Sequence, residues 1–404
     1  MAGPVEAKGM KLVSQNTLDG QGGVGEGMAM QRTKDGRRIL WLAHEGPPTN
    51  FTTVDVTDPK NTKVIGRQNL PHNKVRSNSL EIVGDVMAVA YQTYELGVSP
   101  AGVELFDISV PENPKSISFF DCSGPHSRGV HQVWFADGEY IHFSGGGEGI
   151  VPRNPLDDQI YRIIDVRNPT KPTEVGRWWP NGILEGDSAP PPERAPMNAG
   201  HRAHNTNVYP QRPDRAYVGF IDSGAYILDI SDKSSPKVVS AWNPHPPFPG
   251  FTHTVMPLFS RDLLVVADEC VQDLGKDWPK LIWMVDARRE DKLVPIGTFP
   301  MPSFDVYGRK GGRFGAHNLH ENHPSELAFK SETLIFGTFF NAGVRVFDTT
   351  NPLQVQEIAA YVPEAPEGSR TGTIQINDVY VDDRGLVFAA DRHAGGIYVI
   401  EMDV

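Results

Sequence analysis

Four histidines recur at the same place in a repeating chain: GVHQVWF carries His131, HRAHNTNVY His204, FTHTVMP His253 and GAHNLHENH His317. Each stands at or just before a short run rich in apolar and β-branched residues, the composition of a buried strand. One histidine in such a place is ordinarily a hydrogen-bonded strand-end residue. Four at equivalent positions of successive repeats ask for another account: crowded imidazoles repel once protonated, whereas a transition ion turns the crowding into coordination bonds. The pattern predicts one metal shared by His131, His204, His253 and His317. In the fourth repeat His201 also precedes the strand, and His204 is taken as the ligand.

The elements that must bring these residues together are legible as seven repeats. A strand-like run ends on an acidic residue and is followed, in most copies, by a Pro-containing turn: TTVDVTDPKN around Asp55, VELFDISVPENP around Asp107, YRIIDVRNPTKP around Asp165, YILDISDKSSP around Asp229, IWMVDARRED around Asp286, VRVFDTTNP around Asp348 and IYVIEMDV around Glu401. The spacing is 52 to 64 residues, longer than the typical propeller blade but explained by loop insertions. A unit of this size cannot bury its own apolar face, so the copies must stack into a ring. The expected architecture is all-β, one seven-bladed propeller over residues 1–404, with long insertions near 180–200 and 302–315. The seventh repeat ends after its third strand, and MKLVSQNTL near the N-terminus is the expected partner of IYVIEMDV, which closes the ring and removes its exposed edges.

In such a ring the first strand of each repeat lines the central channel, and its first residue lies at one mouth. The repeats without the histidine place Glu26, Asn78 and Gln375 or Asn377 near that mouth, where they would orient ligands or substrate, or cap the strand. The loops between second and third strands open on the same side. They supply His44 and Glu45, Tyr91 and Tyr94, Asp268 and Glu269, Phe339 and Phe340, and Asp391 and His393. Asp268, Glu269, His320 and His393 are the expected proton-handling residues, the two carboxylates as partners for the second nitrogen of a ligand imidazole. His44, Tyr94, Trp134, Phe339 and Phe340 are the expected substrate contacts. Whether His44, His126, His201 or His393 also reaches the metal is left open, and His323, beside Pro324, reads as a surface residue.

The repeats resemble the LVIVD-repeat family, whose units carry an apolar strand followed by a turn of the kind seen in VDVTDP and FDISVPENP. That resemblance implies a seven-bladed propeller and says little about activity, since one ring hosts scaffolds and unrelated enzymes. The histidine placement is similar in outline to the all-histidine iron of the carotenoid-cleavage-type oxygenases, which implies a divalent transition metal, Fe(II) favoured over Cu, Mn or Zn, with open positions for substrate and O₂. Oligogalacturonate lyase and the copper propeller oxidoreductases are further likenesses. The expected function is a metal-dependent oxidoreductase or oxygenase acting on a small organic substrate. The alternatives are a lyase or hydrolase using the ion as a Lewis acid, and a non-catalytic scaffold. An oxygenase predicts an apolar, aromatic mouth, as Phe339, Phe340, Trp134 and Tyr94 suggest, whereas a lyase acting on sugar acids predicts several Arg and Lys there, and the mouth loops show few.

Composition narrows the partners. A formal charge of −12 disfavours nucleic acid and anionic membrane surfaces, which need clustered Lys and Arg. No apolar run approaches the ~18 residues that span a bilayer. The start, MAGPVEAKGMKLV, lacks a basic stretch and apolar core, so a cytoplasmic location is expected, or a periplasmic one if a leader has been removed. Cys122 and Cys270 are the only cysteines and supply no thiolate cluster. SGGGEG from Ser144 lacks the Lys and helix of a phosphate loop and reads as a turn. Oligomeric state is not encoded in any of these features.

Overall fold

Seven antiparallel sheets are arranged in chain order in a computed structural model that describes residues 4–195 and 197–403. The first blade runs outward through Val24–Arg32, Arg38–His44, Thr49–Asp55 and Lys63–Asn69. The following blades begin on inner strands Leu80–Val83, Val130–Phe135, Thr206–Tyr209 and Thr252–Leu258, and the seventh on Ile376–Val381. The sixth opens with an irregular inner segment: His317 N donates to Thr338 O at 3.0 Å and His320 N to Phe336 O at 3.0 Å, which lays residues 317–320 along Leu334–Thr338.

The recurring aspartate explains its own recurrence. In six blades its carboxylate accepts the backbone N–H two residues on: Thr57 to Asp55, Ser109 to Asp107, Arg167 to Asp165, Ser231 to Asp229, Arg288 to Asp286 and Thr350 to Asp348, all between 2.8 and 3.0 Å. Such an Asx turn fixes the exit from the third strand before, in five of the six, a proline sets the rest. One or two residues before each of these aspartates the pairing with the fourth strand slips by one residue, as between Leu105 and Phe106 or Ile163 and Ile164, which tightens the twist each blade needs.

Closure uses both ends of the chain. Met10–Asn16 pairs antiparallel with Ile397–Met402 as the fourth strand of the seventh blade, as the sequence predicts. The sequence reading did not include a second clasp, in which Glu6–Lys8 pairs with Gln356–Val362 on the sixth blade. The apolar faces meet between blades: Phe51 of the first packs on Phe106 of the second with ring centroids 5.3 Å apart, and Trp41 lies 5.7 Å from Phe51 on the same face. Each such side chain contributes roughly 1.5–3 kcal/mol by leaving water. Among the described residues no helix is long and apolar enough to cross a membrane.

The two insertions are placed differently. Residues 302–315 contain the short helix Phe304–Tyr307 and deliver Arg313 to the mouth of the channel. The 180–200 segment is tied to its own blade by Arg153, whose guanidinium donates to Gly182 O, Ala189 O and Asp187 O, and its described residues contribute no lining to the mouth cavity. Of the two insertions, only 302–315 lines the mouth among the described residues.

Candidate metal centre

Backbone irregularity aims the channel residues. In the third and fifth blades the inner strand slips register between Val130 and Gln132 and between Thr252 and Thr254, so the extra residue is His131 in one and His253 in the other. The seventh blade does the same around Asn377, and the first around Glu26. A bulge re-aims one side chain while its neighbours stay in the ladder. Glycine is required beside Glu26 because the second blade presses on it: a Cβ at Gly25 would lie 2.7 Å from Asn78 O, and one at Gly27 2.4 Å from Leu80 N.

The four histidines converge through Nε2, and their other nitrogens are anchored. His131 Nδ1 bonds Gln92 Oε1 at 2.9 Å, His204 Nδ1 bonds Asn205 Oδ1 at 2.8 Å, His253 Nδ1 bonds Thr254 Oγ1 at 2.7 Å and His317 Nδ1 bonds the Asn377 carbonyl at 2.7 Å. Amide and carbonyl oxygens only accept, so Nδ1 carries the proton in His131, His204 and His317, and Nε2 presents a lone pair. Yet His131 Nε2 and His204 Nε2 are 2.7 Å apart. Two lone pairs at that distance call for a cation between or beside them.

Two carboxylates complete the cluster. Glu26 Oε2 is 3.6 Å from His131 Nε2, 4.0 Å from His204 Nε2 and 3.7 Å from His253 Nε2, and its Oε1 is 3.6 Å from His317 Nε2. Glu269 lies 3.7 Å from His204 and 3.5 Å from His317. Donors about 2.1 Å from a common ion must lie within about 4.2 Å of one another, and each of these separations does. Glu26 Oε2, His253 Nε2 and His317 Nε2 are buried without a hydrogen-bond partner. Orphaned donors of this kind are costly unless something unseen satisfies them, and a metal ion fits all of them at once.

Electrostatics favours the ligating forms of His131, His204, Glu26 and Glu269. Burial holds the His131 and His204 imidazoles well below their ordinary value, hence neutral. Burial alone would raise Glu26, but the facing His253 and His317 keep its carboxyl well below the usual range. At His253 burial is outweighed by Glu26, and its value rises. Glu269, pushed up by burial, is held down by His317 and Arg313 and stays ionised.

The remaining expected site residues divide. His44, Tyr94 and His393 line a cavity of about 860 Å³ at the mouth, together with Glu45, Gln375, Arg313, Arg370 and Arg392. Phe340 stacks on His317, with centroids 4.6 Å and planes 17° apart, so it shields a ligand. Phe339 instead packs against Phe347 in the interblade core, fully buried. Trp134 lies three residues down its strand from His131, donates to Val208 O at 2.6 Å and lines the far end of the channel. His320 has both ring nitrogens bonded to backbone, Nε2 to Phe329 O and Nδ1 from Val381 N, which leaves neither for a metal or a proton. His44 Nε2 is engaged by Thr52, and His201 Nδ1 by Ser223. His126 is exposed, and His323 is not a surface residue: it packs on Trp134 and faces Glu81 at 3.4 Å. The carboxylates do not take the second nitrogens of the ligands, since amides, a hydroxyl and a carbonyl hold those. The two cysteines are free and buried.

Asp268 is held against its own blade, accepting from Leu281 N and Trp283 Nε1 at 3.2 Å each. Burial raises its carboxyl to about 7. Because the folded chain keeps this proton after the unfolded chain has released it, stability falls as pH rises from about 4 to 7, by up to roughly 4 kcal/mol at 1.36 kcal/mol per pH unit. Asp268→Asn is therefore expected to raise the denaturation midpoint at pH 8 and to leave it unchanged near pH 4. A midpoint difference independent of pH would contradict this account.

Fold and cluster together define a seven-bladed propeller with a candidate metal site at its hub. Two stretches, 158–179 and 214–243, match the LVIVD repeat, and they fall on the third and fourth blades. No curated protein sequence matches the chain. Among solved structures it is similar to the β-propeller domain of Myceliophthora thermophila Cps50 (Swd1), at 14% identity and a TM-score of 0.57, covering 98% of this chain and 100% of that one. It is also similar to a chain from a S. cerevisiae complex of Dbp5 with Nup159 and Gle1, at 9% identity and a TM-score of 0.54, covering 98% and 96%. At these identities the likeness is one of fold.

Proposed function

We propose that this protein is a metal-dependent enzyme whose centre is built by His131, His204, His253, His317 and Glu26, acting on a small molecule admitted through the mouth cavity. The observation that carries this reading is a set of overlapping ligand groups, Glu26 with His131 and His204, Glu26 with His253 and His317, and His204 with His253 and Glu269, in which His131 and His204 offer lone pairs to each other at 2.7 Å. A divalent transition ion there supplies Lewis acidity, polarising a substrate oxygen or acidifying a water. The chain supplies the rest. Glu269, ionised and bonded by Arg313 at 2.9 Å, stands beside His204 and His317, where it can take a proton from a group bound at the centre. The cavity above is lined by three arginines, and Tyr94 is its one aromatic residue. An aromatic, cation-poor mouth was the expectation for an oxygenase, so the redox-neutral chemistry of a lyase or hydrolase takes first place.

An oxidoreductase is the second reading. It is favoured by Phe340 against His317 and Phe251 against His204, which keep water from the imidazoles. Reconstitution with Zn²⁺, Mn²⁺, Fe²⁺ and Cu²⁺, followed by turnover of a panel of small organic compounds in an oxygen-electrode cell, separates the two. Turnover with Zn²⁺ and no O₂ uptake supports the first; turnover restricted to Fe²⁺ or Cu²⁺ with stoichiometric O₂ uptake replaces it with the second.

A further inference from the structure

The arginines at the mouth are linked one by one to the metal ligands. Arg313 Nη1 donates to Glu269 Oε1 at 2.9 Å, and its guanidinium lies 5.4 Å from the centroid of Phe340, the ring stacked on His317. Arg76 donates to Gln92 Oε1, the atom that anchors His131. Arg392 Nη2 donates to Glu45 Oε2 at 3.2 Å, and Glu45 Oε1 accepts from Asn377, whose carbonyl anchors His317.

Charge in the cavity lining is unequal: Arg313, Arg370 and Arg392 face two carboxylates, Glu45 and Asp273. Glu45 is a single carboxylate shared by Arg76 and Arg392, and Glu269 is shared by Arg313, His204 and His317. Arg370, exposed at the rim, has no ion-pair partner among the described residues. Arg392 Nη1 is buried and has no hydrogen-bond partner among the described residues. His44, held neutral by burial with its value near 4, adds no positive charge. A cationic surplus in a protein of net charge −12 is not a general property of its surface. Buried, incompletely paired guanidinium is expensive unless an anion joins it, and its planar fork matches a carboxylate better than a lysine would. A metal at the centre adds to the surplus.

We infer that the substrate of this centre bears a carboxylate, which docks on Arg392 and Arg313 across the mouth, with Arg370 drawing it in from the rim. This deepens the metal-enzyme reading and rests on it for the place where reaction occurs. A cavity of about 860 Å³ admits an acid up to drug size. Gln375 and His393, on the same wall, are the neutral groups left to orient the rest of the molecule.

Calorimetric titration with malonate, and with its uncharged analogue malonamide, tests this on the metal-loaded and metal-free protein. Malonate is expected to bind and malonamide not, and Arg392→Gln to weaken malonate at least about ten-fold, the scale of one charge-assisted bidentate pair. Arg370→Gln, at an exposed rim position that cannot disturb the fold, is expected to weaken it several-fold. Equal binding of malonate and malonamide by the wild type overturns the inference, and so does equal malonate affinity in wild type and both variants. Arginine-dependent malonate binding by a protein that takes up no metal keeps the subsite and discards the metal centre. Metal uptake without malonate binding does the reverse.

Discussion

Adding a divalent transition ion to the metal-free protein is expected to raise its unfolding midpoint, and His253→Ala to remove most of that gain. An ion that binds only the folded chain stabilises it by about 4 kcal/mol at a concentration a thousand times its dissociation constant. The gain is specific here because the metal-free ring confines facing lone pairs on His131 and His204 and orphaned donors on Glu26, His253 and His317. His253 sits on a bulge, so its removal costs one ligand while the ladder on either side stays paired. Occupancy, by elemental analysis after dialysis, should fall at least ten-fold, a scale already seen for second-sphere changes. Affinity should also fall on acidification, since ligands must be deprotonated to bind, and His253, raised by Glu26, is the first to compete for a proton. Full occupancy of the His253→Ala protein would strike that residue from the set. A midpoint indifferent to Fe²⁺, Mn²⁺, Cu²⁺ and Zn²⁺ alike would sink the centre itself.

The ring was legible because its signal is repeated. An aspartate closing each third strand does one local job, an Asx turn, and does it in six blades, so length between copies could vary without hiding the period. The four histidines were legible for the same reason. They occupy one structural position per blade, and the sequence shows position even when it does not show direction.

Direction is what the sequence withheld. Glu26 read as an orienting or capping residue, because nothing in GEGMAM says that the flanking glycines serve to admit the second blade's backbone and turn the carboxylate inward. Glu269 and Asp268 are adjacent in sequence, yet one faces His204 and the other Trp283, the alternation of a strand end. Trp134 was expected among the aromatic substrate contacts of the mouth, although an inner strand leaves the mouth at about 3.3 Å per residue. The arginines were missed because Arg76, Arg313, Arg370 and Arg392 come from separate blades and an insertion, and no local run marks them as a group. A scan of every loop on the histidine side for charge, rather than for histidine and aromatic residues, would have found them.

Removing residues 1–18 is expected to cause aggregation and a large loss of stability, because the N-terminal chain closes two blades. Met10–Asn16 covers the edge of Ile397–Met402, and Glu6–Lys8 covers Gln356–Val362. Both edges would then offer unpaired N–H and C=O groups to other molecules. The second clasp adds a charge argument. Glu6 receives Arg345 Nη2 at 2.8 Å and Tyr307 Oη at 2.6 Å, and the Arg345 side chain is only 3% exposed. Without Glu6 that guanidinium keeps Glu357 and the Ala342 carbonyl, so the loss is that of hydrogen bonds to a charged group, roughly 1.5–3 kcal/mol. Glu6→Gln isolates this part: it should lower the denaturation midpoint without aggregation, whereas the truncation should also shift the light-scattering mass upward. Tyr307 belongs to the insertion that carries Arg313, so loosening it should weaken malonate binding as well. A truncated protein that stays monodisperse with an unchanged melting midpoint would show that the ring closes without its N-terminal strands.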